Sequence, residues 1–208
     1  MTPIPAAGQG RPCGLRERKK ARTRAAIRRH ALRLFREHSY QHTTVEQIAA
    51  AAEVSPSTFF RYFPTKEDLI LQDDIDTSVV EAFERQPAGL KPVAAFRAAL
   101  RVVAGSFSPA DLDVIRDTTD LVRTEPEIRA RATDEFARMI MVLSEALARR
   151  IGRPADDLAV RTVAGGIIGV VLSITLPVEG WAADDQVIMT LFERTDQALA
   201  ALEAGLPL

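Results

Sequence analysis

Basic side chains are concentrated in the first third of the chain, where they could bind a polyanion. Residues 11–66 contain 13 lysines and arginines but 4 aspartates and glutamates, whereas residues 67–208 have a net charge of −10. This asymmetry favours a basic head that binds nucleic acid and an acidic body that stays away from it. A solvated helix face would give the same composition, so charge alone leaves both interpretations open.

The sequence lacks the residue patterns of catalytic and metal sites. The three histidines are His30, His38 and His42, and the one i, i+4 pair among them straddles a predicted helix end. No Walker loop and no Gly-x-Ser-x-Gly motif occurs. Cys13 is the only cysteine, which excludes an intrachain disulfide and a multi-cysteine zinc site. We therefore expect no enzyme activity, no cofactor and no metal.

A long helix is predicted from about Leu15, and it carries most of the basic side chains. Ile27, Ala31, Leu34 and Phe35 recur at i, i+4, i+7 and i+8, which gives one apolar stripe. Arginines occupy much of the remaining surface: Arg22, Arg24, Arg28, Arg29, Arg33 and Arg36. The pattern ends at residues 39–42.

Two short helices are predicted next. Thr43 with Glu46, or Thr44 with Gln47, forms a capping box at the start of the first. Ser55-Pro56 begins the second, which ends before Pro64. Because such short helices hold their shape only through packing, we expect Phe59 and Phe63 to be core residues rather than to stack on DNA. The pattern is typical of a helix-turn-helix, although three small helices filling a corner would look the same.

The rest of the chain also has helical periodicity, so the predicted fold class is all-α. Prolines and glycines separate candidate helices at 66–85, 91–107, 109–123, 125–151, 155–176 and 184–204. Residues 1–14 are predicted to be a disordered arm without the apolar core of a signal peptide. The uncharged run between Arg161 and Glu179 is near the lower length limit for a membrane span and is interpreted as a buried helix. A cytoplasmic protein without a membrane segment is expected.

The segment from His42 to Phe63, followed by Pro64–Leu69, closely resembles the signature of the TetR family. The matching features are a Thr-Thr-Val start, Ile-Ala in the first short helix, Val-Ser at the turn, aromatics in the recognition helix, and Lys-Glu-x-Leu. This chain departs from the commonest pattern at four positions, with serine or glutamate in place of glycine or phenylalanine in place of tyrosine: Ser39, Glu53, Ser57 and Phe60. Residues 121–131 resemble an actinobacterial subgroup, some members of which respond to acyl-CoA.

The resemblance implies a three-helix DNA-binding head at 15–66 and a helical effector-binding and dimerisation bundle at 67–208. A homodimer would place two recognition helices in successive major grooves of a palindromic operator, about 34–36 Å apart. The implied base contacts are Pro56, Ser57, Thr58 and Arg61. The implied phosphate contacts are Thr43, Thr44, Ser55, Tyr62 and Lys66. A basic N-terminal segment would add affinity through Arg11, Arg16, Arg18, Lys19 and Lys20.

The resemblance also implies a small-molecule effector, either apolar or acyl-CoA-like, that binds after residue 66. The candidate pocket residues are Phe96, Phe107, Arg123, Phe136, Met139, Met141 and Trp181, each of which could equally be core. The last two long helices are the expected dimer surface. Its candidate residues are Gly165, Gly166, Ile168, Gly169, Val171, Leu172 and Leu176, although glycines here could instead serve the core of one subunit.

The predicted function is that of a transcriptional repressor that releases its operator when the effector binds. An activator, or a DNA-binding regulator without an effector, would have the same head, so the sequence leaves these alternatives open.

Overall fold

The computed structural model describes residues 15–71, 75–175 and 187–205. Every regular element in these ranges is a helix, which confirms the predicted all-α fold. The helices are α1 (Leu15–His38), α2 (Val45–Ala51), α3 (Pro56–Tyr62), α4 (Asp68–Leu71), α5 (Ile75–Glu84), α6 (Pro92–Ala104), α7 (Pro109–Thr124), α8 (Pro126–Ile151), α9 (Leu158–Thr175) and α10 (Val187–Glu203). The predicted arm at 1–14, Leu176 and Trp181 lie outside the described residues.

The chain divides into two compact units, one that ends at Pro64 and one that begins at Thr65. In the first unit, the apolar stripe of α1 is buried as predicted, with Ile27, Ala31, Leu34 and Phe35 in the core. Tyr40 is also buried, and its ring meets Phe35 edge to face at 5.2 Å. Removing these side chains from water supplies the stability that α2 and α3 cannot supply for themselves.

Helix caps predicted from local sequence are present. Of the two possible capping boxes before α2, the chain forms the one in which Thr44 and Gln47 bond each other's backbone N–H groups. At α3, the Thr58 N–H donates to the hydroxyl of Ser55, and Pro56 occupies the first turn. Because each cap satisfies donors that the first turn leaves free, short sequence patterns fix where these helices begin.

Two residues of the first unit adopt a left-handed backbone conformation that favours glycine. Ser39 follows α1 with φ of 68°, and Glu53 follows the α2 C-cap with φ of 55°. These are two of the positions where this chain departs from the commonest pattern of the family. A residue with a Cβ is disfavoured there by about 1–2 kcal/mol, so this chain carries backbone strain just after α1 and just after α2.

The second unit is built around one apolar core. The fully buried large side chains of this core come from four helices: Phe83, Leu143, Leu147, Ile167, Ile168 and Leu199. Phe96 of a fifth helix, α6, is almost fully buried beside them. By length and composition α9 could cross a membrane. Four of its residues, however, are buried in the unit, which accounts for one apolar side of this helix: Val160, Ala164, Ile167 and Ile168.

The predicted helix at 66–85 is represented by two helices, α4 and α5. Thr65 and Asp68 cap α4 reciprocally, since each backbone N–H donates to the other's side chain at 3.0–3.1 Å. The second carboxylate oxygen of the buried Asp68 accepts a hydrogen bond from Arg131 of α8 at 3.1 Å. This ion pair fastens α4 to α8 where Ile70 and Leu71 enter the interior.

Charged side chains join α10 to α6. Arg97 of α6 donates to both carboxylate oxygens of Asp196 and to Glu203, while Arg101 adds a further hydrogen bond to Asp196. Burial alone would raise the pKa of Asp196, but the hydrogen bonds from Arg97 and Arg101 lower it below its ordinary value. Asp196 therefore stabilises the folded chain in its ionised form.

Replacing Glu53 with glycine should raise the free energy of unfolding by about 1 kcal/mol, because glycine adopts positive φ without steric cost. Urea denaturation at fixed protein concentration measures the change as a higher midpoint at an unchanged m-value. Glu46→Gly is the matched control, since it removes the same charge from the right-handed backbone of α2 and should destabilise by about 1 kcal/mol. Equal destabilisation by both substitutions would show that the backbone at Glu53 is not strained.

Asp196→Asn should lower the free energy of unfolding at pH 7 by about 1–2 kcal/mol, since hydrogen bonds to an ionised group are lost. Because the folded pKa lies below the unfolded value, this contribution is complete well above an ordinary aspartate pKa of about 4 and is lost as pH falls through the folded pKa. Urea titrations from pH 7 down to pH 3.5 should therefore show the two proteins converging. Asp113→Asn, in an exposed pair with Arg116, should change stability by less than about 0.5 kcal/mol. A gap that stays constant with pH would contradict this role for Asp196.

Candidate nucleic-acid interface and internal cavity

Packing of two aromatic residues fixes the orientation of α3. Phe59 and Phe63 are fully buried one turn apart, with ring centroids 5.8 Å from each other. The guanidinium of Arg24 on α1 lies 4.8 Å from the centroid of the Phe63 ring. This agrees with the expectation that both phenylalanines belong to the core. Since Phe59 and the C-cap residue Phe63 occupy one side of α3, Phe60 and Arg61 are left exposed to solvent, while Tyr62 is half-buried.

The outward side of α3 brings together several residues implied by the family resemblance. Ser55, Pro56, Ser57 and Arg61 are exposed, and Thr58 and Tyr62 are half-buried. The hydroxyl of Ser55 lies 2.9 Å from the hydroxyls of both Ser57 and Thr58. This cluster of three hydroxyls, with Arg61 one turn further along, offers donors and acceptors suited to base edges and phosphates.

Phe60 was not among the predicted contacts, yet it is 49% exposed on this same side. Its ring meets Phe59 edge to face at 5.5 Å. A large apolar side chain at such a position can contact the methyl group of thymine. The sequence could have indicated this exposure. If Phe59 and Phe63, four residues apart, form the buried side of the helix, Phe60 lies outside that side.

Thr43 does not fit its predicted role as a phosphate contact, whereas the phosphate contact at Lys66 stays a prediction. Thr43 is 1% exposed, and its hydroxyl donates to the backbone carbonyls of Ser39 and Leu34 at 2.8 and 3.3 Å. It is therefore used to close the end of α1. Lys66 belongs to the second unit, where burial lowers the pKa of its amine, a shift partly offset by the carboxylates of Glu67, Glu127 and Glu125.

Basic side chains on α1 continue the positive surface of the first unit. Arg22, Arg29, Arg33 and Arg36 are exposed, although Arg33 is paired with Glu37 at 3.3 Å. In the predicted basic segment, Arg16, Lys19 and Lys20 are exposed on the first turns of α1 rather than on an extended arm. Arg11 and the side chain of Arg18 lie outside the described part of the chain.

The second unit contains a cavity of about 250 Å³. Three of the predicted pocket residues line it: Phe96, Phe136 and Met139. Aliphatic side chains of α4 to α10 supply most of the remaining wall, among them Ile70, Leu71, Ile115, Val122, Leu143 and Leu191. The size and the apolar wall suit a small organic molecule.

Three other predicted pocket residues lie elsewhere. Phe107 packs on Phe192 with ring centroids 5.6 Å apart, and Arg123 pairs with Asp120 at 3.3 Å. Met141 is 61% exposed on the outer side of α8. Periodicity explains this, since Phe136, Met139 and Leu143 share the cavity face of that helix and Met141 lies opposite.

The predicted dimer residues on α9 are divided between its two sides. Ile168 is buried and, with Val171, lines the cavity, while a Cβ at Gly166 would contact Leu202 of α10 at 3.6 Å. These three positions therefore serve the interior of one subunit. Gly165 and Gly169 face open space, and Leu172 is half-buried.

Sequence analysis missed the polar residues of the cavity wall. These are Thr118 and Thr119 of α7, Glu135 of α8, Thr175 of α9 and Thr195 of α10. Helical spacing from the apolar lining residues could have found them, because Thr119 lies between Ile115 and Val122 on one face of α7.

The chain is similar to known regulatory proteins over nearly its whole length. Residues 27–72 match the family model of the bacterial regulatory proteins of the tetR family, and residues 90–207 match that of the MftR C-terminal domain. The transcriptional regulator TcmR of Streptomyces glaucescens is 39% identical over 69% of this chain and 67% of its own. The regulator MftR of Mycobacterium tuberculosis is 28% identical over 91% and 93%.

A solved structure gives the same answer for the fold. The TetR-family repressor FadR of Thermus thermophilus, in complex with lauroyl-CoA, is 28% identical and covers 89% of this chain and 95% of its own, with a TM-score of 0.53.

The same substitution at the two adjacent phenylalanines of α3 should lower the free energy of unfolding by very different amounts. Phe59→Ala removes a fully buried ring and should cost about 3–5 kcal/mol of unfolding free energy. Phe60→Ala removes a half-exposed ring and should cost less than about 1 kcal/mol. Thermal and urea unfolding of the two variants, followed by circular dichroism, measure both values. Equal losses would mean that the face of α3 assigned to solvent is in fact packed.

Proposed function

The chain belongs to the TetR family of bacterial transcriptional regulators, and we propose that it is a repressor that binds a palindromic operator as a homodimer and releases it when an effector binds. The observation that carries this proposal is the outward face of α3, where Ser57, Phe60 and Arg61 are held away from the core by buried Phe59 and Phe63. The first unit is then the DNA-binding domain, and the second binds the effector and dimerises. Such a protein acts in the cytoplasm, where its operator lies.

Sequence readout is assigned to α3. Arg61 can bond guanine through two parallel hydrogen bonds, and Ser57 and Thr58 can donate to or accept from base edges. Thr44 and Tyr62 are assigned to phosphates, which fix the register on the duplex without reading sequence. The exposed arginines of α1 add affinity through the release of counterions, so binding should weaken steeply with salt.

Dimerisation is assigned to the outer side of α9 together with α10. Leu158 is 82% exposed although it belongs to the most apolar helix of the chain. Gly165 and Gly169 leave open space beside the backbone, which permits a second helix to approach closely. Pairing α9 and α10 with their copies would form a four-helix bundle and cover this apolar surface.

Effector control is assigned to the cavity of the second unit. Its wall is mainly apolar and includes Ile70 and Leu71 of α4, the helix that begins four residues after Pro64. The similar protein FadR is in complex with lauroyl-CoA, and the apolar acyl chain of that ligand supports an effector with an apolar part. An effector that fits the cavity only when α4 has shifted would favour a state that does not fit the operator.

The function is tested by fluorescence-polarisation titration against labelled duplexes that tile the chain's own upstream region, at two salt concentrations. We expect one palindromic segment to bind at least about 1,000-fold more tightly than random duplex, with affinity falling as salt rises. Equal affinity for every duplex at both salt concentrations would contradict operator recognition.

Arg61→Ala should reduce discrimination at one base position of that operator by about 1–3 kcal/mol while leaving affinity for random duplex nearly unchanged. Competition against single-base operator variants locates the position. Arg85→Ala, which removes an exposed arginine paired with Glu81 in the second unit, is the matched control and should have no effect. Uniform weakening on every duplex would instead assign Arg61 to a phosphate.

A further inference from the structure

The polar groups of the cavity wall differ in whether their hydrogen-bonding capacity is already used. The hydroxyl of Thr118 donates to the carbonyls of Val114 and Ile115 at 3.0 Å, and that of Thr175 donates to Val171 at 2.9 Å. These two threonines are satisfied within their own helices. They contribute methyl groups to the wall rather than hydrogen bonds to a ligand.

Thr195 and Thr119 are different. Thr195 is 6% exposed and lines the cavity from α10, yet its hydroxyl makes no hydrogen bond to any residue that the structure describes. Thr119 lines the cavity from α7, and its hydroxyl likewise has no partner within the described ranges. Neither hydroxyl is among the fully buried side-chain atoms without a partner, so both remain accessible from the cavity and can hydrogen-bond to a molecule that enters it.

Glu135 is the only ionisable side chain in the cavity wall formed by the described residues. Its side chain is 20% exposed, and Oε2 pairs with Arg138 at 3.0 Å. Oε1 has no hydrogen-bond partner in the described part of the chain. The ion pair with Arg138 balances the charge of the carboxylate. Oε1 can therefore accept a hydrogen bond from a neutral molecule in the cavity, and no second cation is needed there.

The helical hairpin places these groups at similar heights. Thr119 lies six residues before the α7–α8 junction at Glu125, and Glu135 lies ten residues after it. With a rise of about 1.5 Å per residue, the two residues differ in height by about 6 Å, which one small molecule can span. Apolar side chains such as Phe136 and Phe192 provide the rest of its environment.

We propose that the cavity binds a neutral, mainly apolar molecule that carries hydroxyl groups, with one hydroxyl donating to Glu135 and an oxygen accepting from Thr195. Thr119 provides a second donor on the facing wall. The proposal rests on the effector function assigned to the cavity and names the chemical class of that effector. A carboxylate ligand is disfavoured, because it has no proton to donate to Glu135 and would bring a like charge against it.

Isothermal titration calorimetry with four probes of one ring system tests this class: naphthalene, 1-naphthol, 1-naphthoate and 1-naphthylmethylammonium. We expect 1-naphthol to bind about tenfold more tightly than naphthalene, the gain expected from one to two additional hydrogen bonds, and 1-naphthoate to bind most weakly. The ammonium probe should not bind more tightly than 1-naphthol, since Arg138 already balances the charge of Glu135.

Two variants assign the contacts. Thr195→Val keeps the shape of the side chain. It should lower the affinity for 1-naphthol about five- to tenfold and leave the affinity for naphthalene unchanged. Glu135→Gln keeps a hydrogen-bond acceptor but removes the charge. The affinity for 1-naphthol should therefore change by less than about threefold, and the affinity for 1-naphthoate should increase. Glu145→Gln, an exposed substitution on the same helix α8, is the matched control and should alter no probe.

The outcomes separate this inference from the function on which it rests. If naphthalene binds as tightly as 1-naphthol, or if 1-naphthoate or the ammonium probe binds best, the proposed class is wrong while an effector cavity stands. Equal loss of naphthalene and 1-naphthol in Thr195→Val would equally overturn the assigned contact. If no probe binds, including naphthalene, the effector function itself fails.

Discussion

Burial of Phe59 and of the C-cap residue Phe63 on one side of the seven-residue helix α3 is the constraint on which the arrangement of the candidate DNA-binding residues depends. A helix as short as α3 is unstable alone, so its orientation is set by the side chains that it removes from water. Burial of both phenyl rings places the remaining side of α3 in solvent, where Ser57, Phe60 and Arg61 are exposed. The recognition surface is therefore a consequence of core packing, because α3 and its C-cap residue must supply both.

In the second unit, packing leaves a cavity. Apolar side chains of α5, α6, α8, α9 and α10 form the core, and residues of α4 to α10 line the cavity beside it with a mixed wall. Thr118 and Thr175 bond carbonyls of their own helices, whereas the Thr195 hydroxyl has no partner among the described residues and is therefore the group that the proposed effector would contact. Ionic contacts between α6 and α10 hold this wall in place without occupying it.

Helix α4 lies in the chain between the helices of the first unit and most of the residues that line the cavity. It begins just after the boundary between the units, it is held by the Asp68–Arg131 ion pair, and it contributes Ile70 and Leu71 to the cavity wall. Because Asp68 is buried, its hydrogen bonds to Thr65 and Arg131 make the position of α4 well defined rather than adjustable by small steps. Such an element suits a change between two discrete arrangements better than a gradual one.

The sequence by itself determined the helical class, the cap at Ser55 and the division of charge, since these depend on composition or on neighbours a few residues apart. It left Thr43 and Thr44 open as the cap of α2, and the structure selected Thr44. The spacing of a known family motif was equally local and indicated the DNA-binding segment. Tertiary structure alone decided that Thr43 is buried, that Met141 faces solvent, and that Glu135 and Thr195 share a cavity. Periodicity shows which residues lie on one face of a helix, but what covers that face is set by helices distant in sequence, and this decides whether a polar side chain becomes a core hydrogen bond or a ligand contact.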